Sequence, residues 1–325
     1  MRRAVAAADG VRGSTAPNPW VGAVLVTPGG AVHVGATRPA GGLHAEIVAL
    51  DSAGQAAVGA TLYTTLEPCC HHGRTPPCTD AVIEAGVARV VVGMEDPDPL
   101  VAGQGLAALR SAGLEVTAGV AAADVADQLE SYIHHRRTGR PFVTLKLAAT
   151  LDGGTAAPDG TSQWITGPEA RADGHRLRAR CDAVLVGAGT VRADDPELTV
   201  RHVQGCNPRR IVLGTAPPGA RVHPCRQVSG PLPDVLAELG AEGVVDLLVE
   251  GGPTVAGELH RAGLVDHYVV YMAPALFGGG GAAGLFGGPA AATMEELWRG
   301  RITAVARLGP DLRVDLRPGP PSRGT

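Results

Sequence analysis

Four side chains in the first third of the chain could do metal chemistry. His44 and Glu46 lie in Gly41-Gly42-Leu43-His44-Ala45-Glu46, and Cys69 and Cys78 bracket Cys70-His71-His72-Gly73-Arg74-Thr75-Pro76-Pro77. One imidazole and two thiolates can give zinc three protein ligands and leave the fourth position for water. That water loses its proton near neutral pH and becomes a nucleophile. Glu46, two residues after His44, is placed to shuttle protons rather than to bind the ion. The competing reading is a structural site, which needs a fourth ligand such as Cys70 or His71, or simply a pair of buried free cysteines.

Elements that could carry these groups are legible around them. Residues 60–66 alternate and are rich in β-formers, so they predict a strand. Glu67-Pro68 ends it, and Cys69 falls where a helix is expected to begin, with its positive dipole end near the thiolate. Ile47, Leu50 and Ala53 follow His44 at helical spacing, behind two glycines that suit a turn. Helix starts should thus carry both His44 with Glu46 and the cysteines. Upstream, residues 2–13 predict a short helix, and strands follow at 21–26 and 31–35. Asn18 stands between two prolines, extended and stiff, so its amide either aims at a ligand or belongs to an ordinary turn. Downstream, a helix is expected at 79–86, a central apolar strand at 88–93, a helix at 100–113, a strand at 114–120 and a helix at 123–137. Strands alternating with helices predict an α/β sandwich.

Thr138-Gly139-Arg140-Pro141 reads as a junction, after which a second α/β unit opens. Its first strand, 142–148, carries Lys146, which is costly there unless it faces a site or partner. A helix at 168–180 holds four arginines. Two strands, 183–186 and 244–250, run into small-residue turns, Gly187-Ala188-Gly189-Thr190 and Gly251-Gly252-Pro253-Thr254. Such turns expose N–H groups that accept phosphate, so the pair predicts either a nucleotide cofactor or ordinary α/β loops. Residues 192–196 read as a polar loop, 278–288 as a flexible loop, and 268–273 and 307–316 as the last strands.

Composition narrows the class. The chain of 325 residues is long enough for two domains, and its 45% hydrophobic share is that of a globular protein. Aromatics are only 3%, so the cores must rest on Val, Leu and Ala. With a net charge of −4 and scattered basic residues, nothing resembles a nucleic-acid surface. Six cysteines, two of them adjacent, do not form a disulfide pattern in a chain of this size, which fits reduced thiols and a cytoplasmic setting. No export signal or membrane span is evident.

The His-x-Glu…Pro-Cys…Cys layout is a known signature of zinc deaminases. Together with Pro17-Asn18-Pro19-x-Val21-Gly22, Leu151-Asp152-Gly153, Ser162-Gln163-Trp164-Ile165 and Glu250-Gly251-Gly252-Pro253-Thr254, the chain from Arg2 to Leu316 closely resembles the bifunctional pyrimidine deaminase/reductase family of bacterial riboflavin biosynthesis. The resemblance implies a cytidine-deaminase-like α/β/α sandwich over residues 1–140, a dihydrofolate-reductase-like α/β domain over 141–318, and a disordered tail at 319–325. The first would hydrolyse the 2-amino group of 2,5-diamino-6-ribosylamino-4(3H)-pyrimidinone 5′-phosphate, and the second would reduce its ribosyl group to ribityl with NADPH. It implies one zinc ion per chain on His44, Cys69 and Cys78, with Glu46 as the catalytic proton shuttle and Asn18, His71 and Arg74 holding the deaminase substrate. NADPH falls to Ala148, Trp164, Thr190, Asp194 and the 252–258 loop (Gly252, Pro253, Thr254, Val255, Ala256, Gly257 and Glu258). The reductase substrate falls to Lys146, Ser162, Arg178, Leu198, Arg201 and Glu250. A small-molecule substrate, no nucleic acid, no membrane and a homodimer or homotetramer are the implied partners.

Many relatives have histidine where Thr37 stands, proline for Leu43, asparagine for Glu130 and a basic residue for Gly154. Thr37 and Leu43 motivate an alternative, a paralogue acting on a related phosphoribosyl pyrimidine. A base-editing deaminase and a binding protein with structural zinc are the readings from other classes.

Overall fold

The structure, a computed structural model, describes residues 1–71 and 76–319. The chain divides into two compact units, Met1–Gly139 and Arg140–Thr325. The tail expected to be disordered lies outside the described residues from position 320 on.

The first unit runs α1 (Arg2–Asp9), β1 (Gly22–Val26), β2 (Val32–Ala36), α2 (Ala45–Ala53), β3 (Thr61–Leu66), α3 (Cys78–Glu84), β4 (Arg89–Met94), α4 (Gln104–Ser111), β5 (Glu115–Ala118), α5 (Ala122–Gln128) and α6 (Glu130–Thr138). Its five strands lie in the order β2-β1-β3-β4-β5. β1 pairs antiparallel with β2 and β3, whereas β3, β4 and β5 are parallel. Interior β4, between β3 and the edge strand β5, is apolar and buried along Val90–Val92, as a strand covered on both faces must be.

Two glycines let helices lie directly on this sheet. A Cβ on Gly22 would sit 1.9 Å from the Ala4 carbonyl oxygen of α1, and one on Gly35 would sit 2.1 Å from the Ala45 oxygen of α2. Gly22 is paired with Ala36, next to Gly35, so the two glycines face opposite sides and the sheet is sandwiched between α1 and α2. Backbone atoms cannot retreat as a side chain can. Gly22→Ala is expected to lower unfolding free energy by about 3 kcal/mol. Gly29→Ala, whose nearest neighbour is 3.9 Å away, should change it by less than about 0.5 kcal/mol in the same thermal melts.

Several expected elements differ in detail. α1 stops at Asp9 rather than residue 13. The helix expected over 123–137 is two, broken at Leu129 (φ −95°, ψ 15°), because the Gln128 carbonyl accepts the Trp20 indole N–H (3.1 Å) and leaves the helical ladder. α2 buries Ala45, Glu46, Ala49 and Leu50, not the 47/50/53 stripe, since small residues allow its close approach to Gly35. Cys69 is not on a helix. It lies in the irregular stretch after β3, and Cys78 opens α3 instead.

The second unit runs β6 (Phe142–Thr150), β7 (Gly154–Ala156), α7 (Pro168–Arg180), β8 (Ala183–Gly187), α8 (Ala188–Asp194), β9 (Arg209–Leu213), β10 (Arg226–Val228), α9 (Leu232–Ala241), β11 (Asp246–Val249), α10 (Pro253–Arg261), β12 (His267–Ala273), β13 (Ala283–Gly284), β14 (Gly300–Leu308) and β15 (Asp311–Pro318). Eight strands form one sheet in the order β10-β9-β8-β11-β6-β12-β15-β14. The first six are mutually parallel, and the β14–β15 hairpin closes the edge antiparallel. Val143, Leu145, Leu185, Leu247 and Val249 form its core with Leu236 and Leu239 of α9 and Val255 and Leu259 of α10.

Here too the sequence-based boundaries shift. Residues 307–316 are not one strand but the turn of a hairpin, reversed at Gly309 (φ +61°). Arg192–Asp194 close α8 rather than forming a loop, and the loop expected over 278–288 contains β13, which pairs with β7. Residues 252–258, expected as a loop, are the N-cap and first turns of α10. Val255 and Ala256 are apolar and turn into the core, which holds the segment helical.

Candidate active sites of the two units

α2 starts at His44, its N-cap in extended conformation, so Glu46 lies in the first turn and points inwards, 3% exposed. The irregular stretch after β3 brings Cys69 to the same place, and the start of α3 brings Cys78. Both sulfurs face His44 Nδ1, Cys78 at 3.2 Å and Cys69 at 3.5 Å. Zinc bonds of ordinary length, about 2.3 Å to sulfur and 2.0 Å to nitrogen in a tetrahedron, require N···S edges of about 3.5 Å. The donor set therefore fits zinc in type and in spacing, and Nδ1 is the nitrogen that faces the sulfurs. His44, Cys69 and Cys78 are the cluster of metal-ligand type found among the described residues.

Electrostatics agree with a cation at this place. The hydrogen bond from the Cys78 thiol, then the one from His44, hold Cys69 down to about 4 despite burial. Its backbone neighbour helps: the Cys78 N–H, first of α3, donates to Cys69 Sγ at 3.4 Å. The helix end thus does stabilise the Cys69 thiolate, but from nine residues downstream. Burial, then the Cys69 thiolate, push Glu46 up to about 7. A buried carboxyl balanced near neutrality can both accept and deliver a proton.

Of the expected substrate residues here, Asn18 is half-buried with its backbone tied to Thr15 (3.0 Å), and His71 is exposed two residues beyond Cys69. Arg74 lies outside the described residues. The Thr37 hydroxyl is occupied: it accepts from the Val21 N–H (3.0 Å) and donates to the Val21 carbonyl (3.3 Å). A residue that sequence reasoning passed over is Glu67. It is 3% exposed and accepts three backbone N–H bonds, from Asp96 (3.1 Å), Gly103 (2.9 Å) and Leu106 (3.0 Å). The signal was available: a carboxylate at the end of a buried strand must find donors.

In the second unit the candidate residues gather at the carboxyl ends of β6, β8 and β11, where open α/β sheets bind ligands. The two glycine-rich turns adjoin, with the Thr190 hydroxyl accepting the Gly252 N–H at 3.1 Å. Gly252 caps α10, so the free amides of that helix start open beside α8. Pro253 occupies the first turn, Thr254 and Glu258 are exposed, and Gly257 meets the Gly287 carbonyl with no room for a Cβ. Ser162 donates to Asp194 (3.1 Å), and Trp164 is exposed with the Arg171 guanidinium 4.8 Å from its ring. Ala148 packs beside Val269 and Tyr271.

Lys146 Nζ stands 3.6 Å from Glu250, which is also held by Arg178 through Nε (2.5 Å) and Nη2 (2.9 Å). Arg178 spends its remaining edge on the Thr199 carbonyl (3.1 Å). Its guanidinium, which the resemblance assigned to substrate, is thus bidentate with a carboxylate of this chain. Arg201 reaches Glu197 and Thr199 and stays exposed, and Leu198 is buried in the core at φ +54°. His175 was not foreseen. Burial, then Arg178 and Arg201, push it down to about 4, so the ring is neutral. Its Nδ1 accepts the Arg201 N–H (3.1 Å), which leaves the proton on Nε2. At Gly154, where a basic residue is common in the resembled family, a Cβ would lie 2.3 Å from the Phe277 ring.

No helix among the described residues is long and apolar enough to cross a membrane. Residues 1–94 match the model of the cytidine and deoxycytidylate deaminase zinc-binding region, and residues 141–314 match that of the RibD C-terminal domain. The riboflavin biosynthesis protein RibD of Mycobacterium tuberculosis is 46% identical, with 94% of this chain and 93% of that protein aligned. The solved RibD of Acinetobacter baumannii superposes with a TM-score of 0.92 at 37% identity, covering 98% of both chains. A diaminohydroxyphosphoribosylaminopyrimidine deaminase/5-amino-6-(5-phosphoribosylamino)uracil reductase from Thermotoga maritima superposes with a TM-score of 0.88 at 34% identity, covering 98% of this chain and 97% of that one. Matched in both halves by sequence and by fold, the chain belongs to the RibD family of bifunctional riboflavin biosynthesis proteins, with a zinc-type deaminase half followed by a reductase half.

Proposed function

We propose that residues 1–140 hydrolyse the 2-amino group of 2,5-diamino-6-ribosylamino-4(3H)-pyrimidinone 5′-phosphate, releasing ammonia, and that residues 141–318 then reduce the ribosyl group to ribityl with NADPH. The observation that carries this reading is the convergence of both sulfurs on His44 Nδ1 beside the buried Glu46. The solved relative from Thermotoga maritima is named for the same two activities.

His44, Cys69 and Cys78 would hold one zinc ion, which when bound supplies a nucleophile from water at neutral pH. Glu46 takes the proton of that water and passes it to the departing amine, so one carboxyl serves twice. Asn18, His71 and Arg74 orient the pyrimidine phosphate. In the second half, NADPH supplies the hydride and the protein supplies orientation. Its phosphates would meet the Thr254 amide at the start of α10, since Pro253 has no N–H and the Gly252 N–H is spent on the Thr190 hydroxyl, with Thr190, Asp194, Ala148, Trp164, Gly252 and Pro253 around the cofactor. Val255, Ala256 and Gly257 contribute from inside the helix by shaping that turn, and Glu258 lies one turn on. Lys146, Ser162, Leu198 and Glu250 line the substrate. Arg201 meets the ribose phosphate, and Arg178 joins it through the Glu250 pair. The chain works in the cytoplasm, as a homodimer or homotetramer, on a small molecule and not on nucleic acid.

Metal removal separates the halves. After dialysis against a chelator, ammonia release from the diaminopyrimidine phosphate should fall below about 1% of its value and return with added zinc. NADPH oxidation on the deaminated intermediate should be unchanged. Loss of both activities together, or of neither, contradicts the assignment.

A further inference from the structure

Cys69 belongs to no regular element, yet a metal ligand must be held in place. We propose that Glu67 is the positioning residue of the deaminase centre: with the first turn of α4 it fixes where the Cys69 sulfur stands. The proposal rests on the zinc reading given above and adds a residue to it.

The geometry is specific. Glu67 Oε2 accepts the N–H groups of Asp96 and Gly103, and Oε1 accepts that of Leu106. Gly103 is the N-cap of α4, and its side chain can cap nothing. Leu106 is the third residue of the helix, whose amide a capping side chain normally satisfies. Glu67 therefore caps α4 from outside the helix, and its negative charge sits at the positive end of the dipole. Its own N–H goes to Met94 O (3.0 Å), the last residue of β4.

The contact continues through the intervening residue. A Cβ on Gly105 would lie 2.1 Å from the Pro68 carbonyl oxygen, so the α4 backbone bears directly on the peptide that leads into Cys69. On its other side, Cys69 is held by α3: its carbonyl accepts the Thr79 N–H (3.2 Å) and its sulfur accepts the Cys78 N–H (3.4 Å). Two helix starts thus grip a three-residue segment outside regular structure, one through Glu67 and Pro68, the other through Cys69 itself. Without the Glu67 grip, the sulfur would keep its α3 bonds but lose the support that sets its distance from His44.

The amide of Gln cannot reproduce this. With its oxygen turned to Asp96 and Gly103, its NH2 meets the Leu106 N–H donor to donor. In the full-length Glu67→Gln protein, the zinc dissociation constant, read by competition with a chromogenic chelator, should rise about 10- to 100-fold, as for the loss of an outer hydrogen-bond partner. The cobalt-substituted protein should show shifted, weakened sulfur-to-metal charge-transfer bands. NADPH-dependent reduction by the same preparation should be unaffected. Should Glu67→Gln not fold, Gly105→Ala tests the same grip, because its methyl group displaces the Pro68 carbonyl and crowds Glu67 Oε1 (3.1 Å) while leaving the carboxylate in the chain, and it should move both readouts in the same direction.

A folded variant with the parental zinc affinity and cobalt spectrum overturns the proposal, even if its melting temperature drops, since a merely structural carboxylate would do that. Cys69→Ser is measured alongside. If it binds zinc as well as the parent chain, the zinc reading itself falls; if it binds weakly while Glu67→Gln binds normally, only the positioning role falls.

Discussion

Glu46→Gln is expected to cut ammonia release about a thousandfold, the worth of a general acid–base group, while zinc stays bound. The substitution keeps the size of a side chain that is 3% exposed and leaves the hydrogen bonds between His44 and both cysteines in place. What it removes is the only carboxyl in the first turn of α2, the group proposed to carry the proton from the water to the leaving nitrogen. Zinc content of the purified variant and ammonia release from the diaminopyrimidine phosphate are the two measurements. Reduction of the deaminated intermediate, supplied directly, should proceed at the parental rate. A variant with full deamination would mean that the ion is structural and that Glu46 is a buried carboxyl with no part in the chemistry.

The second large effect is expected at Glu250. Its carboxylate is the shared partner of Arg178 and Lys146, whose side chains are 14% and 25% exposed. Glu250→Gln preserves shape but leaves two largely buried cations facing a neutral amide. Removing one member of a buried pair in this way costs about 3 kcal/mol, so the melting of the second unit should move down by several degrees, with loss of NADPH oxidation. The same pair gives an acid limit. Burial works to raise the Glu250 carboxyl, but Arg178 and then Lys146 outweigh it and hold it at about 2. A group whose folded pKa is depressed adds stability above its unfolded value, about 4.3, and loses it as pH falls through the folded one. Stability of the parent chain should therefore decline between about pH 4.3 and 2, and Glu250→Gln should flatten that limb in urea titrations. An unchanged slope would show that the pair is not coupled to folding.

Legibility differed between the two sites. In the deaminase half, the imidazole and thiol groups that cluster and the start of α2 at His44 could be read directly, because both follow from local spacing. Cys69 was misplaced onto a helix, since what holds it comes from Glu67, Gly105 and Thr79, which no local pattern connects. In the reductase half the two glycine-rich turns were visible as strand-to-helix junctions, but their contact through Thr190 and Gly252 was not. Arg178 shows the same limit: its type suits a phosphate, and only the fold places Glu250 against it. Residues 204–243, for which no element was predicted, hold β9 and β10 at one side of the sheet and α9, whose Leu236 and Leu239 pack into the core.

By itself the sequence determined the chemistry that the chain can carry, because imidazole, thiolate and carboxylate groups keep their character wherever they stand. It also determined the alternation of strands and helices, since side-chain periodicity acts over a few residues. Tertiary structure alone decided which nitrogen of His44 faces the sulfurs, how Cys69 is held, which cation Glu250 neutralises and which glycines must remain bare. Those outcomes depend on distances between residues tens of positions apart, which close packing of the sheet and its helices sets and local propensity does not.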